Sequence, residues 1–270
     1  MNKQKLSHDE VEKLRTPWDW KNLEMESPLV TREKITRARE LGVIAVVFTA
    51  DQVKRRIREL AYLEHAQRNG SVDETVYGVV LKGGVQFATP LFSNIASLSP
   101  SMNPVVDYVQ ASRYGNSQTG KNEIEILRRL DHRTDFSGKR FVKIEDTIDE
   151  GITMELLGAT AKDKMRCFDL GEGITGPASE IGIISLTDKD IAPLNGFDEA
   201  NVTKGLLIPN AWAGGNGLDG ENEAMRWAPE IVLTNVQDEK YREGMPEILD
   251  ILGERAILGM DDIVWISSNS

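Results

Sequence analysis

The residues best suited to chemistry in this 270-residue chain lie in one short segment, Glu145-Asp146-Thr147-Ile148-Asp149-Glu150-Gly151-Ile152-Thr153. The run before it predicts a strand over residues 140–144, and the residues from Met154 onward predict a helix. In open parallel sheets, ligands bind at the carboxyl ends of strands, and a helix N-terminus binds phosphate. Two adjacent acids there can hold vicinal hydroxyls or water-bound Mg²⁺, and a glycine lets backbone N–H groups approach a phosphate. An acidic turn that caps a helix fits the same residues, so the spacing alone leaves both interpretations open.

Alternating strand and helix patterns surround this segment and must position it. Further strands are predicted, from apolar and largely β-branched runs, over residues 43–48, 76–81, 105–111 and 181–186. Three helices are predicted. The first covers residues 31–41, and the second begins at a capping box formed by Thr49 and Gln52 and ends at about residue 67. The third contains Phe87, Leu91 and Ile95 at helical spacing. Units of strand, turn and helix build parallel sheets that are buried on both faces. The sequence therefore predicts an α/β fold for the centre of the chain.

Charge and cysteine content exclude several classes of function. The chain has 32 basic and 43 acidic residues and a formal net charge of −11, which argues against binding to nucleic acid or an anionic membrane surface. Cys167 is its one cysteine, which excludes an intrachain disulfide and agrees with a cytoplasmic location. The 3 histidines lie outside every segment with candidate chemistry, so a histidine metal site has no support. No apolar run approaches the roughly 20 residues that span a bilayer.

Four segments, in this chain order, resemble motifs of the type I phosphoribosyltransferases, and specifically of their hypoxanthine-guanine branch. VYGVVLKGGVQFATPL (76–91) is similar to the pyrophosphate loop, and VDYVQASRYGNSQTG (106–120) resembles the flexible lid. The acidic segment 145–153 resembles the signature that binds phosphoribosyl pyrophosphate (PRPP). KGLLIPNAWAGGNGLDGENEAMRWAPEI (204–231) is similar to the purine-binding segment. The resemblance runs from about residue 44 to residue 231.

The resemblance implies a fold and a reaction. The fold would be that of a type I phosphoribosyltransferase over residues 44–234, a parallel sheet flanked by helices with a small hood near residues 205–220. Residues 1–43 would form an N-terminal extension, and residues 235–270 a C-terminal extension packed on the domain. The reaction would be Mg²⁺-dependent transfer of the phosphoribosyl group from PRPP to N9 of a 6-oxopurine, releasing pyrophosphate in purine salvage. The family also implies a homodimer or homotetramer.

The family's roles carry over to matching positions of this chain. Asp149 would be the general base that faces purine N7. The residues implied for PRPP binding are Lys82, Gly83, Tyr114, Glu145, Asp146, Glu150, Gly151, Ile152, Thr153 and Arg226. The purine would be bound by the ammonium group of Lys189, which donates to the 6-oxo group, by the ring of Trp212 and by the backbone of Ala213. Mg²⁺ would be held by Glu145, Asp146 and Asp219.

Several residues depart from the family's pattern. Glu150 stands where the family has a small hydroxyl residue against the 5′-phosphate, and a carboxylate there should repel the phosphate. Arg113 replaces the serine before the lid tyrosine, and Arg226 lies one residue later than the family's arginine. Lys143 lies in a strand that should be buried, so it must snorkel or pair with an acid. Two alternatives therefore stay open: a non-catalytic regulator of the same fold that binds PRPP or a nucleotide, and a transferase for a different or modified base.

Overall fold

The computed structural model of the chain describes residues 7–22, 42–67, 75–99, 104–112, 125–128, 138–149, 178–189, 199–219, 224–234 and 244–252. The chain divides into two compact units. The first consists of Met1–Pro17 and Ile57–Gly205, and the second of Trp18–Arg56 and Leu206–Ser270. The domain boundaries expected from the sequence, after residues 43 and 234, stay predictions. The helix expected over residues 31–41 lies outside the described residues.

The first unit is built on a mostly parallel sheet. Its described strands are β3 (Thr75–Leu81), β4 (Val105–Ser112), β5 (Glu125–Arg128), β6 (Arg140–Ile148), β7 (Glu180–Asp188) and β8 (Val202–Leu207). They lie side by side in the order β8-β7-β6-β3-β4-β5. Strand β3 pairs in parallel with β4 and β6, and β6 pairs in parallel with β7, whereas β5 runs antiparallel to β4. This arrangement confirms the predicted α/β fold and adds an edge strand, β5, that the sequence pattern did not predict.

Local sequence signals account for the helices. Helix α1 (His8–Arg15) begins at a capping box between Ser7 and Glu10. Helix α2 (Ala50–Gln67) begins at the predicted capping box. There the Thr49 N–H donates to Gln52 Oε1 at 2.8 Å, and the Gln52 N–H donates to Thr49 Oγ1 at 3.3 Å. Helix α3 (Gly84–Leu98) buries the three apolar residues predicted for its inner face, Phe87, Leu91 and Ile95. This face packs against β3 and β6, which fixes the glycine turn before α3 relative to the sheet. No described helix is long and apolar enough to cross a membrane.

Strand β6 is longer than the sequence predicts, and this corrects one expectation. The strand does not end at residue 144 but continues to Ile148, because its parallel pairing with β7 continues through Glu145, Thr147 and Ile148. β7 is extended in the same way, to Asp188. Glu145 and Asp146 therefore lie within a paired strand and not in a turn after it. Both are buried in spite of their carboxyl groups.

Lys143 is fully buried in the middle of β6, as expected from its position in a strand predicted to be buried. The register across the sheet places Asp107 of β4, Gly78 of β3 and Lys143 in one row. Residues in such a row project to the same face of a sheet, and Gly78 leaves that face open between the two charged residues. Asp107 is also buried. The row places the buried acid Asp107 on the same face of the sheet as Lys143.

A buried ion-pair network lies at the amino end of the sheet. Arg140, the first residue of β6, donates through Nη1 to Glu64 Oε1 of α2 at 2.8 Å and through Nε to Glu180 Oε1 of β7 at 2.8 Å. The Tyr77 hydroxyl donates to the same Glu64 oxygen at 2.8 Å. A Cβ at Gly182 would lie 2.8 Å from Arg140 Nη2, so glycine makes room for the guanidinium group. The network therefore joins α2 to three strands at the edge away from the candidate chemistry.

The second unit contains an antiparallel sheet. Its described strands are β2 (Val43–Phe48), β9 (Ala213–Gly215), β10 (Leu218–Asp219) and β11 (Ile231–Thr234), which lie in the order β10-β9-β11-β2. Val43, Val46 and Val232 pack with Met225 in its core, and helix α4 (Met245–Leu252) contacts β2. The last two residues of β8 also belong to this unit, where they pair in parallel with β1 (Trp18–Asp19).

Candidate active site

The first unit places two buried carboxyl groups side by side near the carboxyl end of β6. Glu145 is 7% exposed and Asp146 is 8% exposed. Burial raises the pKa of Glu145 well above its ordinary value, and the negative charge of Asp146 raises it further. The cation of Lys143 acts in the opposite direction and lowers this pKa. The pair is therefore a concentrated site of negative charge that a bound cation would stabilise.

The turn Lys82-Gly83-Gly84 lies directly against this pair. A Cβ atom at Gly83 would lie 2.0 Å from Asp146 Oδ2, and one at Gly84 would lie 2.8 Å from the Ile144 carbonyl oxygen. The peptide bond between Leu81 and Lys82 is cis. The resemblance implies a pyrophosphate loop at this turn, but the sequence did not predict its close approach to Asp146. A side chain at position 83 would therefore force the Asp146 carboxyl group or the turn to shift.

Asp149 and Lys189, predicted as general base and purine ligand, form an ion pair. Lys189 Nζ lies 3.1 Å from Asp149 Oδ2, and the lysine side chain is 6% exposed against 27% for the aspartate. The pairing of β6 with β7 brings the two together, because the Lys189 N–H donates to the Ile148 carbonyl oxygen at 3.0 Å. Within the described part of the chain, the other carboxyl oxygen, Asp149 Oδ1, has no hydrogen-bond partner. A charged hydrogen-bond donor and a buried carboxyl oxygen that has no hydrogen-bond partner among the described residues therefore lie together at the carboxyl edge of the sheet.

A second ion pair lies on the neighbouring strands. Lys204 Nζ of β8 lies 2.7 Å from Asp188 Oδ2 of β7, and Asp188 is almost fully buried. Asp188, the last residue of β7, directly precedes Lys189 in the chain. The sequence reasoning assigned no role to either Asp188 or Lys204.

The second unit holds the other described residues with predicted roles. Ala213 pairs with Leu233, and the Trp212 carbonyl oxygen accepts a hydrogen bond from the Thr234 N–H at 3.0 Å. Arg226 Nη1 donates to the Gly217 carbonyl oxygen, so this guanidinium group already holds the turn before Asp219. Their ligand roles stay predictions, as does that of Asp219.

Other predicted site residues lie outside the described residues: Tyr114, Glu150, Gly151, Ile152 and Thr153. Arg113 lies there as well. Among the described residues, no group of three or more His, Cys, Asp or Glu side chains is arranged to hold a metal ion. A metal at this site would therefore need ligands beyond the described protein groups.

Comparison with known proteins finds relatives among the phosphoribosyltransferases. The family described as phosphoribosyl transferase domain matches residues 47–168. Hypoxanthine-guanine phosphoribosyltransferase of Bacillus subtilis is 27% identical over 177 residues, which cover 64% of this chain and 84% of that protein. The bifunctional protein TilS/HprT of Listeria innocua is 29% identical over 174 residues, which cover 64% of this chain but only 23% of that longer protein. A crystal structure of hypoxanthine phosphoribosyltransferase from Staphylococcus aureus has the same fold, with a TM-score of 0.57 and 20% identity over 78% of this chain and 97% of that one.

The chain has the fold of the type I phosphoribosyltransferases. In sequence it is similar to hypoxanthine-guanine phosphoribosyltransferases, at 27% identity to the Bacillus subtilis protein.

Proposed function

We propose that this protein transfers the phosphoribosyl group from PRPP to N9 of a 6-oxopurine and releases pyrophosphate. The observation that carries the proposal is the Asp149–Lys189 ion pair, 3.1 Å long, at the same strand end as the carboxyl pair of Glu145 and Asp146. In the transfer, the bond from C1′ of the ribose to the pyrophosphate oxygen breaks and a bond from C1′ to N9 forms. The base loses a proton in the process, so the site needs a proton acceptor beside the base.

Asp149 and Lys189 are suited to bind and deprotonate the base. Oδ1 of Asp149 has no hydrogen-bond partner among the described residues and would accept the proton carried on the purine N7 side, while Oδ2 stays bound to Lys189. The ammonium group of Lys189 has further N–H groups, which can donate to the 6-oxo group of the purine. An exocyclic amino group at the same position would present N–H groups to this cation, so adenine should be a poor substrate.

Glu145 and Asp146 are suited to bind the ribose. Two carboxyl groups held by one strand can accept hydrogen bonds from vicinal hydroxyl groups. The turn at Gly83 would present backbone N–H groups toward the leaving pyrophosphate, since it lies in contact with Asp146. Hydrogen-bond donors that are fixed in position stabilise charge as it develops on a leaving group.

The carboxyl pair also fits the Mg²⁺ that the family implies. Mg²⁺ in sites for phosphorylated substrates is typically held by one or two carboxylates, water and the phosphates themselves. The two adjacent carboxyl groups of Glu145 and Asp146 supply such oxygens. Burial, and then the negative charge of Asp146, raise the pKa of Glu145, and a bound cation would relieve both effects. When bound, Mg²⁺ would neutralise charge on the departing pyrophosphate.

The proposal has further parts that rest on the family resemblance alone. They are a place in purine salvage, a homodimer or homotetramer, and the ligand roles of Trp212, Ala213, Asp219 and Arg226.

The test is nucleotide formation from PRPP and Mg²⁺ with hypoxanthine, guanine, xanthine and adenine offered separately. We expect turnover with the 6-oxopurines and little with adenine. Asp149→Asn should lower kcat by about 10²- to 10⁴-fold, the usual contribution of a general base, with KM for PRPP little changed. An Asp149→Asn enzyme with full turnover would refute the role of this residue. Binding of PRPP or a nucleotide without turnover on any base would favour the regulator instead.

Two matched lysine variants test the base site. Lys189→Met should raise KM for 6-oxopurines by about tenfold or more, because it removes a charged hydrogen-bond donor worth ~1.5–3 kcal/mol. Lys204→Met removes the other Lys–Asp pair of the same sheet, 2.7 Å long, and should lower stability without changing selectivity among purines. If both variants change purine selectivity equally, the assignment of Lys189 is wrong.

A further inference from the structure

The turn that leads into Asp219 is a two-residue hairpin loop formed by Asn216 and Gly217. Leu218 pairs with Gly215 across the hairpin of β9 and β10, which leaves these two residues as its loop. Both have a positive φ, 47° for Asn216 and 110° for Gly217. A type I′ turn has positive φ at both loop residues, and asparagine followed by glycine is among its preferred sequences. The local sequence therefore fixes the shape of the loop, in which Asn216 alone has a side chain.

The loop is bound to the segment that contains Arg226. The Asn216 N–H donates to the Ala228 carbonyl oxygen at 2.8 Å, and Asn216 Nδ2 donates to the Pro229 carbonyl oxygen at 2.6 Å. The Gly217 N–H donates to the Arg226 carbonyl oxygen at 3.0 Å, and Arg226 Nη1 donates back to the Gly217 carbonyl oxygen. The loop and the segment therefore form one hydrogen-bonded unit.

The shape of the loop also decides the position of Asp219. In a hairpin, the turn type sets which residues of the two strands lie opposite each other. Here it places Asp219 opposite Gly214, and a slip by one residue would turn the Asp219 side chain to the other face of the sheet. Gly215 lets the hairpin lie on the neighbouring segment, since a Cβ there would be 1.8 Å from the Glu230 carbonyl oxygen. Asp219 and Arg226 therefore keep a fixed relation as long as the loop keeps its shape.

We propose that Asn216 is a positioning residue for PRPP, which holds Asp219 and Arg226 in the relation that this substrate requires. The inference rests on the proposed function, in which Arg226 binds PRPP and Asp219 holds the Mg²⁺ of that substrate. Asn216 itself acts on the population of the conformation that binds PRPP, through the loop. When that conformation is populated only in part, the apparent affinity falls by the same fraction.

Two substitutions separate the side-chain bond from the backbone conformation. Asn216→Gly keeps the positive φ and removes the bond to Pro229, so KM for PRPP should rise about five- to tenfold, the effect of one lost hydrogen bond. Asn216→Ala also disfavours the positive φ and should raise KM for PRPP further. KM for hypoxanthine should stay within about threefold in both variants, because the residues implied for the base, Trp212 and Ala213, are hydrogen-bonded to β11.

The experiment compares steady-state kinetics, calorimetry of PRPP binding without a base, and melting temperatures of the full chain and its variants. Asn94→Ala is the matched control, since Asn94 Nδ2 donates to the Pro90 carbonyl oxygen at 2.7 Å, a bond of the same kind, within α3. This control should leave KM and Kd for PRPP unchanged. If Asn216 serves the fold alone, its variants should lower the melting temperature and leave KM and Kd for PRPP unchanged as well.

The outcomes distinguish this inference from the proposed function. Unchanged KM and Kd for PRPP in a folded Asn216→Gly protein, or an equal rise of KM for PRPP and for hypoxanthine, overturns the inference and leaves the proposed function standing. If the wild type binds PRPP without turnover, the proposed reaction fails, and Kd for PRPP still decides the role of Asn216. A wild-type protein that binds no PRPP overturns both.

Discussion

Substituting alanine for Gly83 tests whether the glycine turn and the Asp146 carboxyl group act as one unit. The new Cβ would lie 2.0 Å from Oδ2, 2.3 Å from Cγ and 2.6 Å from Oδ1 of Asp146. The backbone at Gly83 has φ −62° and ψ −47°, which alanine adopts readily. The effect of the substitution is therefore steric and does not come from the backbone conformation.

The size of the effect follows from the distances. Ordinary contacts of a Cβ begin at 3.4 Å, so Asp146 or the turn must give way by 3.4 − 2.0 = 1.4 Å. A misplacement of about 1 Å at a reacting site costs about 10²-fold in rate. We expect kcat/KM for PRPP to fall by about 10²-fold or more. The free energy of unfolding should fall by about 1–3 kcal/mol, because an added methyl group forces this packed site to shift.

Initial rates of nucleotide formation against PRPP concentration measure this effect. The control is Gly244→Ala, because a Cβ at Gly244 meets no atom within 4 Å. In an Asp146→Ala background, Gly83→Ala should cost far less, since the two side chains are in contact and their effects are coupled. Wild-type kcat/KM in the Gly83→Ala enzyme, or full additivity in the double variant, would refute the reasoning.

Two further predictions separate stability from activity. Because the pKa of Glu145 is raised in the folded state, the unfolded chain ionises first as the pH rises above the ordinary value of 4.5, and the fold loses stability from there upward. Glu145→Gln should therefore raise the melting temperature at about pH 7 but not at about pH 4, and should lower turnover; equal shifts at both pH values would contradict this. Arg140→Met removes the cation that lies 2.8 Å from the buried Glu64 carboxylate, so the free energy of unfolding in urea should fall by about 3–5 kcal/mol, with KM for PRPP retained. An unchanged urea midpoint would show that the network contributes little.

Local signals in the sequence determined most of the elements. Two of these signals depend on residues three or four positions apart. The capping box of Thr49 and Gln52 is present as predicted, and so is the buried inner face of α3. The parallel sheet followed from apolar runs separated by helices. The resemblance to the family also predicted Asp149 and Lys189 individually, because each belongs to a short motif.

The tertiary structure decided how these pieces meet. The length of β6 depends on its pairing with β7, and the same pairing brings Lys189 to Asp149, 40 residues earlier in the chain. The contact of Gly83 with Asp146 also joins residues from separate elements. Such contacts depend on strand register and helix packing, which no local spacing encodes. The sequence by itself thus determined the kinds of residue available for chemistry, whereas packing of distant strands determined which of them touch.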